Sequence, residues 1–408
     1  MHGKKNNIKI CLITPGHIAT NPRLIKEADS LLAAGFDVHI IFTQYMQYLL
    51  KDDELLLSKY PNLTYDVLDW VKKNNRYRIL GGIVQRCCKG LSKFFRTNIF
   101  LHKFILNRHY LWQYKKAISA KANFYIAHNS GAIAIASDAA KKNNVRFGFD
   151  AEDFHRGESL SHTEQTSLIH VEDHYIPLAN HLTAASDLIG EGYEKIYHKK
   201  FRTILNVFSK QRLNDKKNSE NGALKLFWFS QTIGPERGIE NTINALNISK
   251  HEFELHLLGD VTLSYKEHLY NLASTKKKYL YFHKPIAPDE VFDIAKKFDI
   301  GLATESSTPY NRNICLTNKI FTYIQCGLAV IATNTFAQGR LIKKYPEIGF
   351  LFDQNAPHQL ANLLDKYSED RILLNIHKKA AYELGQNEFN WETESKKFLQ
   401  IIEKTLNA

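Results

Sequence analysis

The sequence is poor in cysteine and contains no long apolar run. Its 408 residues include five cysteines, an odd number without the spacing of a metal site or a disulfide framework. No window approaches the roughly 18 consecutive apolar residues of a membrane-spanning helix. The polar first residues lead directly into a strand-like run rather than the apolar core of a signal peptide. We therefore expect a cytoplasmic protein with free thiols.

Acidic residues are absent between Asp69 and Asp138. This window holds 13 lysines and arginines, whereas the whole chain has a net charge of +12, which leaves −1 (12 − 13) for the rest. We interpret residues 72–121 as a basic helical segment that rests on an anionic membrane surface, with its apolar side in the lipid. This would place the protein at the inner face of the cytoplasmic membrane. A solvated basic helix with an ordinary packing face is the alternative.

Short β-branched and apolar runs alternate with amphipathic runs along most of the chain, which predicts βαβ units and parallel sheets. The alternation stops at residues 208–222, a polar stretch that we interpret as a linker or exposed loop. The predicted domains are 1–207 and 208–385, followed by a terminal helical segment, 386–408, that can pack back on the N-terminal domain. The predicted strands are 8–14, 37–43, 62–68, 123–128, 146–150, 181–185, 224–230, 253–259, 279–283, 300–304, 329–333 and 349–352.

The predicted fold class is therefore α/β, with two Rossmann-like domains that face each other across a cleft. Ligands of open α/β sheets bind outside the carboxyl ends of the strands. Candidate functional residues are accordingly sought in the loops that directly follow strands.

The loops after the first and fourth strands have such residues. Gly16 follows the first strand and permits close backbone approach to a ligand, next to a helix N-terminus that favours anions. Arg23 is interpreted as an exposed cation of this loop, and a plain strand-to-helix turn is the alternative. His128 ends the fourth strand, where it is placed to meet a substrate hydroxyl. Alternatively, it is a hydrogen-bonded histidine in the domain wall.

The loop after the fifth strand concentrates Asp150, Glu152, Asp153 and His155 within six residues. Unpaired carboxylates are costly to bury. They can bind sugar hydroxyls, act as a base or hold a metal, although no partner site for a metal is recognisable. A solvated acidic loop is the alternative.

Two loops of the second half combine a cation with a helix start. The loop from Ser230 to Gly238 places Arg237 before a helix, an arrangement that suits a diphosphate, although Arg237 can instead be a surface residue. Thr317 or Asn318 suits the N-cap of the next candidate helix. Lys319 then lies in the first turn, where a cation opposes the helix dipole unless an anion is bound.

At these residues the chain resembles the GT-B glycosyltransferases of family 4. Residues 318–323 (NKIFTY), followed by Gly327 and residues 330–332 (VIA), resemble a family signature, and the loop 230–238 resembles the family's phosphate loop. Residues 21–23 (NPR) and 149–152 (FDAE) resemble acceptor-side loops of a bacterial branch that makes polysaccharides and lipid-linked glycans.

The resemblance implies a role for each matching residue. Arg237 and Lys319 would neutralise the donor diphosphate, and His128 would contact the transferred sugar. The remaining donor-binding candidates are Gly16, Ser230, Gln231, Lys284, Ile286, Asn318 and Thr322. The acceptor-side candidates are His17, Asn21, Arg23, Asp150, Glu152 and Asp153.

The chain departs from the family in its glutamate pair and in its phosphate loop. The family often has two glutamates eight positions apart, and here these positions are Ile314 and Thr322. Gln231 stands where the phosphate loop usually has an arginine, and Arg237 stands where it has a lysine. Glu305 is the nearest acid upstream, but its spacing does not match.

The expected activity is transfer of a sugar from a nucleoside diphosphate sugar to a glycan or lipid-linked acceptor, with retention, in surface polysaccharide or glycoconjugate synthesis. We expect no metal and no other cofactor. Two alternatives remain open. One is a related non-transferase, such as a sugar-nucleotide epimerase or an inactive partner subunit. The other is a nucleic-acid binder that uses the basic segment, which the loops at strand ends do not favour.

Overall fold

A computed structural model of the protein describes residues 8–71, 76–213 and 222–407. Residues 72–75 of the basic segment and residues 214–221 of the predicted linker lie outside the described residues.

Contacts between residues divide the chain into two units. The N-terminal unit is Met1–Ile204 together with Ser395–Ala408, and the C-terminal unit is Leu205–Glu394.

The N-terminal unit is built on a parallel sheet, which has seven strands within the described residues, in the order β3-β2-β1-β4-β5-β6-β7. The order reverses between β1 and β4, and ligands of such sheets bind at this switch point. The central strands β1 and β4 are apolar and buried, as expected of strands covered on both faces. The strands are β1 (Lys9–Ile13), β2 (Asp37–Gln44), β3 (Thr64–Asp69), β4 (Phe124–His128), β5 (Arg146–Ala151), β6 (His181–Ala184) and β7 (Arg202–Thr203).

Two asparagines begin the helices that follow β1 and β4. The Asn21 side chain accepts a hydrogen bond of 3.0 Å from the Leu24 amide, and Asn129 accepts one of 3.0 Å from the Gly131 amide. Such caps satisfy amides that have no partner in the first turn, and they place both asparagines at the switch point. The helices are α1 (Pro22–Ala33), α2 (Leu50–Ser58), α3 (Arg76–Leu91), α4 (Ile99–Leu106), α5 (Tyr110–Ala120), α6 (Ser130–Asn143), α7 (His162–Tyr175) and α8 (Asp187–Tyr197).

The C-terminal unit has a second parallel sheet, of six strands within the described part of the chain, in the order β10-β9-β8-β11-β12-β13. Its order reverses between β8 and β11. One continuous apolar core covers this sheet and includes Trp228, Leu257 and Leu302. The strands are β8 (Leu224–Thr232), β9 (Phe253–Asp260), β10 (Leu280–His283), β11 (Ile300–Ala303), β12 (Ala329–Thr333) and β13 (Gly349–Phe352).

The helix after β11 that carries the Asn-Lys pair begins and ends near the predicted residues. Thr317 is the N-cap, but its side chain makes no capping hydrogen bond. Gly327 follows the last turn with φ 65°, a left-handed conformation that favours glycine. The helices of this unit are α9 (Ile239–Ile248), α10 (Leu263–Ala273), α11 (Val291–Ala295), α12 (Tyr310–Ile314), α13 (Asn318–Cys326), α14 (Phe336–Lys344), α15 (Pro357–Glu369) and α16 (Arg371–Asn387).

The last helix, α17 (Trp391–Asn407), continues into the N-terminal unit. Phe398 packs edge-on against His181 of β6 at a centroid distance of 6.3 Å. Arg146 of β5 donates a hydrogen bond of 2.5 Å to the Thr405 carbonyl. The end of α17 is therefore held against the N-terminal sheet.

All twelve predicted strands are present, and the five cysteines are free. The short strand β7 was not predicted, because Arg202 and Thr203 form too short a pattern to recognise. Within the described residues, the predicted basic helical segment is helical, but it is not one continuous helix. Asn98 caps α4, and Asn107 has an extended conformation after α4, so the described residues 76–120 form three helices, α3, α4 and α5.

Candidate functional site

The switch point of the C-terminal sheet brings two loops together. β8 and β11 are hydrogen-bonded neighbours, and their carboxyl ends lead into the loops that carry Arg237 and Glu305. Arg237 donates to the Ser230 hydroxyl at 2.9 Å. Gly238 is required here, because it has φ 76° and an added Cβ would lie 2.6 Å from the Thr304 Cβ.

Lys319 in the first turn of α13 points into the same place. Its ammonium lies 2.7 Å from Glu305 Oε1 and 5.3 Å from the centre of the Trp228 ring. The Trp228 indole donates to the Thr304 hydroxyl, which in turn donates to the Arg237 carbonyl. The two predicted cations therefore belong to one connected group of side chains.

Glu305 also belongs to this site, although its spacing along the chain does not match the family signature. Its Oε1 accepts hydrogen bonds from Lys319 and from the Thr317 hydroxyl, at 2.7 and 2.9 Å. Burial raises the pKa of Glu305, but Lys319, Thr317 and Arg237 outweigh burial and lower the pKa below its usual value. The carboxylate is therefore charged and supplies the anion that a cation in the first turn of a helix needs. The sequence feature that could have identified Glu305 as a site residue is its position two residues after the buried strand β11.

The switch point of the N-terminal sheet contains a cavity of about 220 Å³. It lies at the carboxyl ends of β1, β4 and β5, and three predicted site residues, Gly16, Asn21 and Glu152, line it. An added Cβ on Gly16 would lie 3.4 Å from the Tyr45 hydroxyl, so a larger residue would narrow the cavity. The other lining residues are Thr14, Pro15, Thr20, Tyr45 and Asn129.

Arg23 does not lie on the surface, and its interpretation as an exposed cation is wrong. It is 2% exposed and donates to both carboxylate oxygens of Asp150, at 2.5 and 2.7 Å, and to the Ile204 carbonyl. Glu27, one turn further along α1, lies 3.4 Å from the Arg23 Nε. Arg23 and Asp150 are therefore a buried ion pair and cannot contact an acceptor directly.

His128 lies beneath the cavity and is completely buried. Its Nδ1 is 3.0 Å from Glu152 Oε1, and its Nε2 is 3.3 Å from Glu27 Oε2. Burial lowers the pKa of His128, but Glu27, Glu152 and Asp150 outweigh burial and raise the pKa to about 10. His128 is thus an imidazolium at neutral pH. The prediction that it meets a substrate hydroxyl is not supported by this placement, because Glu152 lies between the ring and the cavity.

His17 has a structural environment as well. Its Nδ1 lies 2.6 Å from Asp53 Oδ2, and its Nε2 accepts hydrogen bonds from the amides of Tyr45 and Met46, at 2.8 and 2.9 Å. A nitrogen that accepts two amides carries no proton, so Nδ1 donates to Asp53. Because His17 is also completely buried, it fixes the Tyr45 loop rather than contacting an acceptor. Asp153 is half-buried and does not line the cavity.

Residues 210–384 match the family model of glycosyl transferases group 1. The C-terminal unit is a glycosyltransferase domain. The matched range contains Arg237, Glu305 and Lys319, and the N-terminal unit lies outside it. No curated protein sequence matches the chain.

Solved structures with the same fold cover nearly the whole chain. The chain is similar to Anabaena HepE in complex with UDP-glucose, at 14% identity and a TM-score of 0.69 over 98% of this chain and 100% of that one. It is similar to sucrose-phosphate synthase from Thermosynechococcus elongatus, at 13% identity and a TM-score of 0.68 over 98% and 99%. It is also similar to WaaG, a glycosyltransferase involved in lipopolysaccharide biosynthesis, at 12% identity and a TM-score of 0.59 over 97% and 99%. At these identities the likeness shows the fold, which is GT-B.

The other predicted donor-binding residues of the glycosyltransferase domain lie at different distances from its switch point. Asn318 begins α13, and its side-chain oxygen accepts a hydrogen bond of 3.2 Å from Asn206. Gln231 is exposed, near the end of β8, and Thr322 is buried within α13. Lys284 and Ile286 follow β10, which is two strands away from β8 at the edge of the sheet. A contact of these two residues with the donor stays a prediction.

Three buried side chains of the N-terminal unit have the geometry to hold a cation. Glu27, His128 and Asp150 each offer a ligand atom, and these atoms lie within 4.8 Å of one another. A metal does not fit this group well, because Arg23 already donates to both oxygens of Asp150 and His128 is protonated. Metal ligation requires the neutral imidazole. The guanidinium and the imidazolium therefore act as the counter-cations of these carboxylates.

The basic segment of the N-terminal unit has an apolar face that points to solvent. Ile79, Leu80 and Ile83 share one side of α3 and are exposed. Phe94 and Phe95, which follow this helix, are 82% and 59% exposed. Three of the cations are paired with acids from outside the segment: Lys89 with Glu164, Lys103 with Asp138 and Lys116 with Asp66. Among the described residues, no helix is long and apolar enough to cross a membrane.

Proposed function

We propose that the protein transfers a sugar from a nucleoside diphosphate sugar, held by the C-terminal unit, to a glycan or lipid-linked acceptor. The observation that carries the proposal is the convergence of Arg237 and Lys319 at the switch point of the glycosyltransferase domain. Both cations are held by neighbouring side chains before a ligand arrives, so little reorganisation is needed when charge develops.

In the proposed reaction the bond between the anomeric carbon and the β-phosphate oxygen breaks, and a bond to the acceptor hydroxyl oxygen forms. The hydroxyl proton leaves with the diphosphate. The charge that develops on the diphosphate is stabilised by Arg237, Lys319 and the uncapped amides at the start of α13. The reaction uses no metal in this proposal, because these groups supply the positive charge. Retention at the anomeric carbon is proposed from the family resemblance.

Glu305 has a defined part in this proposal. In the absence of donor it accepts the hydrogen bond of Lys319, and an incoming diphosphate competes for the same ammonium. The ion pair with Glu305 holds the Lys319 ammonium at the site and offsets the cost of burying it unpaired. Until the donor binds, the Glu305 carboxylate therefore offsets the unfavourable interaction between Lys319 and the positive end of the α13 dipole.

A screen of sugar nucleotides tests the proposed function. Release of nucleoside diphosphate is measured for UDP-, GDP-, ADP- and dTDP-linked sugars, with and without glycan or lipid-linked acceptors. Acceptor-dependent release supports transfer. Conversion of the donor to its epimer without release supports the alternative, a GT-B non-transferase, which the replacement of two family glutamates by Ile314 and Thr322 favours. The absence of both reactions across the panel argues against the proposed function.

We also propose that the acceptor is presented at an anionic membrane surface, as suits surface polysaccharide or glycoconjugate synthesis. The exposed apolar side chains of α3 and the following loop lie within the segment that carries the excess of cations. Aromatic and aliphatic side chains enter the interface, whereas lysines and arginines contact lipid phosphates.

The membrane proposal predicts salt-sensitive binding to vesicles. The protein is expected to co-sediment with phosphatidylglycerol-containing vesicles at low salt and to be released at high salt, because screening weakens exposed charge pairs. The variant Phe94→Ser/Phe95→Ser should bind several-fold more weakly. Leu263→Ser, which removes an apolar side chain that is 80% exposed in the C-terminal unit, is the matched control and should bind like wild type. A lack of binding at low salt would disprove the proposal.

A further inference from the structure

Glu152 is the acidic residue among the side chains that line the N-terminal cavity. Its side chain is 20% exposed, and its Oε1 lies 3.0 Å from the Nδ1 of the buried His128. The other polar lining groups, among them Thr20, Asn21, Tyr45 and Asn129, are uncharged. A single carboxylate among neutral hydrogen-bonding groups favours a hydroxyl-bearing ligand over a phosphate, since it accepts hydrogen bonds and repels anions.

His128 is confined by carboxylates on both edges of its ring. Glu152 faces Nδ1 at 3.0 Å, Asp150 lies 3.5 Å from the same nitrogen, and Glu27 faces Nε2 at 3.3 Å. Nδ1 therefore donates to Glu152, and the three acidic side chains around the ring favour its protonated form, an imidazolium. Asp150 is in turn fixed by Arg23 and by the Thr183 hydroxyl at 2.5 Å. The Glu152 carboxylate, which reaches the cavity, is thus supported by a buried layer of side chains: His128, Asp150 and Arg23. Their mutual contacts restrict the rotation of each side chain.

A second lining residue, Tyr45, is also held in place by buried side chains. Tyr45, which is 41% exposed, has its amide bound to the buried His17, and His17 is held by Asp53. The cavity volume of about 220 Å³ is below the roughly 300 Å³ of pockets for drug-sized ligands. It therefore suits one part of a larger substrate, such as a single sugar ring. Groups held by packing and hydrogen bonds behind them bind with less loss of entropy.

We infer that Glu152 binds a hydroxyl group of a sugar in the N-terminal cavity and that His128 is the positioning residue that holds the Glu152 carboxylate there. This inference rests on the proposed function, because it takes the ligand to be a sugar of the donor or the acceptor. From the sequence, His128 is expected to contact the sugar directly, whereas here Glu152 makes that contact. His128 then acts on the substrate without touching it.

The first test compares donor turnover in matched variants, with UDP-glucose as the first probe and the other sugar nucleotides after it. Glu152→Gln should lower kcat/KM by roughly 10- to 100-fold, the effect of a lost hydrogen bond to a charged group. Glu158→Gln is the control, because Glu158 is paired with His155 at 3.1 Å in the same loop but does not line the cavity. This control should retain wild-type turnover.

The positioning role is tested by coupling between the two residues. His128→Gln should retain more activity than His128→Ala, since it keeps an N–H donor toward Glu152. In a Glu152→Gln background, His128→Gln should add little further loss. Fully additive losses would show a structural role only and would overturn the positioning assignment. Thermal unfolding of each variant identifies any that fails to fold.

A second measurement does not depend on activity. The ring of His128, assigned by comparison with His128→Gln, is titrated by NMR in ¹⁵N-histidine-labelled protein. The groups that face it are Arg23 and Glu27 of α1, Asp150 and Glu152 at the end of β5, and His181 of β6. The ring should stay protonated well above pH 7 and titrate at lower pH in Glu152→Gln. Titration near pH 6.5 in the wild type would overturn the inference.

The two kinds of failure are distinguishable. If the wild type releases no nucleoside diphosphate from any sugar nucleotide, the proposed function fails, and the titration still decides how His128 holds Glu152. If the wild type is active and Glu152→Gln remains within about two-fold of it, the proposed function stands and this inference is wrong.

Discussion

The double variant Arg237→Ala/Lys319→Ala is expected to lose nearly all sugar-nucleotide turnover. Removal of one preorganised donor to a developing oxyanion typically costs about 10²- to 10³-fold in rate. With both cations removed, we expect a loss of at least about 10³-fold in kcat, because the two groups face the same diphosphate and share its stabilisation. The measurement is release of nucleoside diphosphate from the best donor found in the screen.

Control variants distinguish the removal of the two site cations from a general reduction in positive charge. Lys343→Ala/Lys379→Ala removes two exposed cations from the same unit and should leave turnover unchanged. Glu305→Gln keeps both site cations but removes the internal anion, so it should tighten binding of UDP measured by calorimetry. Wild-type turnover in the Arg237→Ala/Lys319→Ala variant, on a donor that the wild type uses, would refute the assignment of the donor site.

The strand pattern was predictable because parallel strands buried on both faces are continuous apolar runs. The connectivity then placed Arg237 and Lys319, since the loops after β8 and β11 must share one edge of a sheet whose order reverses between them. The C-terminal glycine of α13 could also be read from the sequence, because a left-handed residue is needed before β12 and Gly327 meets that need.

Pairings between distant residues could not be predicted in the same way. Arg23 is separated from Asp150 by 127 positions, and only the fold shows that each neutralises the other inside the protein. Without that contact, an arginine beside a loop is expected on the surface. Glu305 was set aside because the family spacing was sought along the chain, whereas its contact with Lys319 joins the loop after β11 to the first turn of α13.

The division of the basic segment was missed for a local reason. Asn98 and Asn107 interrupt an otherwise helical composition, and a single asparagine is a weak stop signal without the capping geometry. The exposed apolar face of α3 nevertheless agrees with the apolar side that was expected of this segment. Composition therefore predicted the chemistry of this surface better than its secondary structure.

Arg23→Met is expected to be the most destabilising single change in the N-terminal unit. It leaves the Asp150 carboxylate buried next to Glu27 without its guanidinium, and breaking a buried ion pair in this way costs about 3–5 kcal/mol. Burial raises the pKa of Asp150, but Arg23 and then His128 outweigh burial and lower it. The carboxylate therefore stays charged when the pair is intact and must take up a proton, or move, when Arg23 is absent.

The loss of stability caused by Arg23→Met should be confined to the N-terminal unit. It should be partly reversed when Asp150 is replaced as well. Because a two-domain chain need not unfold in one step, hydrogen exchange in increasing urea is followed separately for peptides of each unit. Arg202→Met, which removes an exposed cation of the same unit, should change stability by no more than about 0.5 kcal/mol. Arg23→Met/Asp150→Asn should lose less than the sum of the two single variants, because it removes the unpaired charge together with its partner. Additive losses, or a loss below about 1 kcal/mol for Arg23→Met, would mean that the buried layer beneath the cavity is not held by this ion pair.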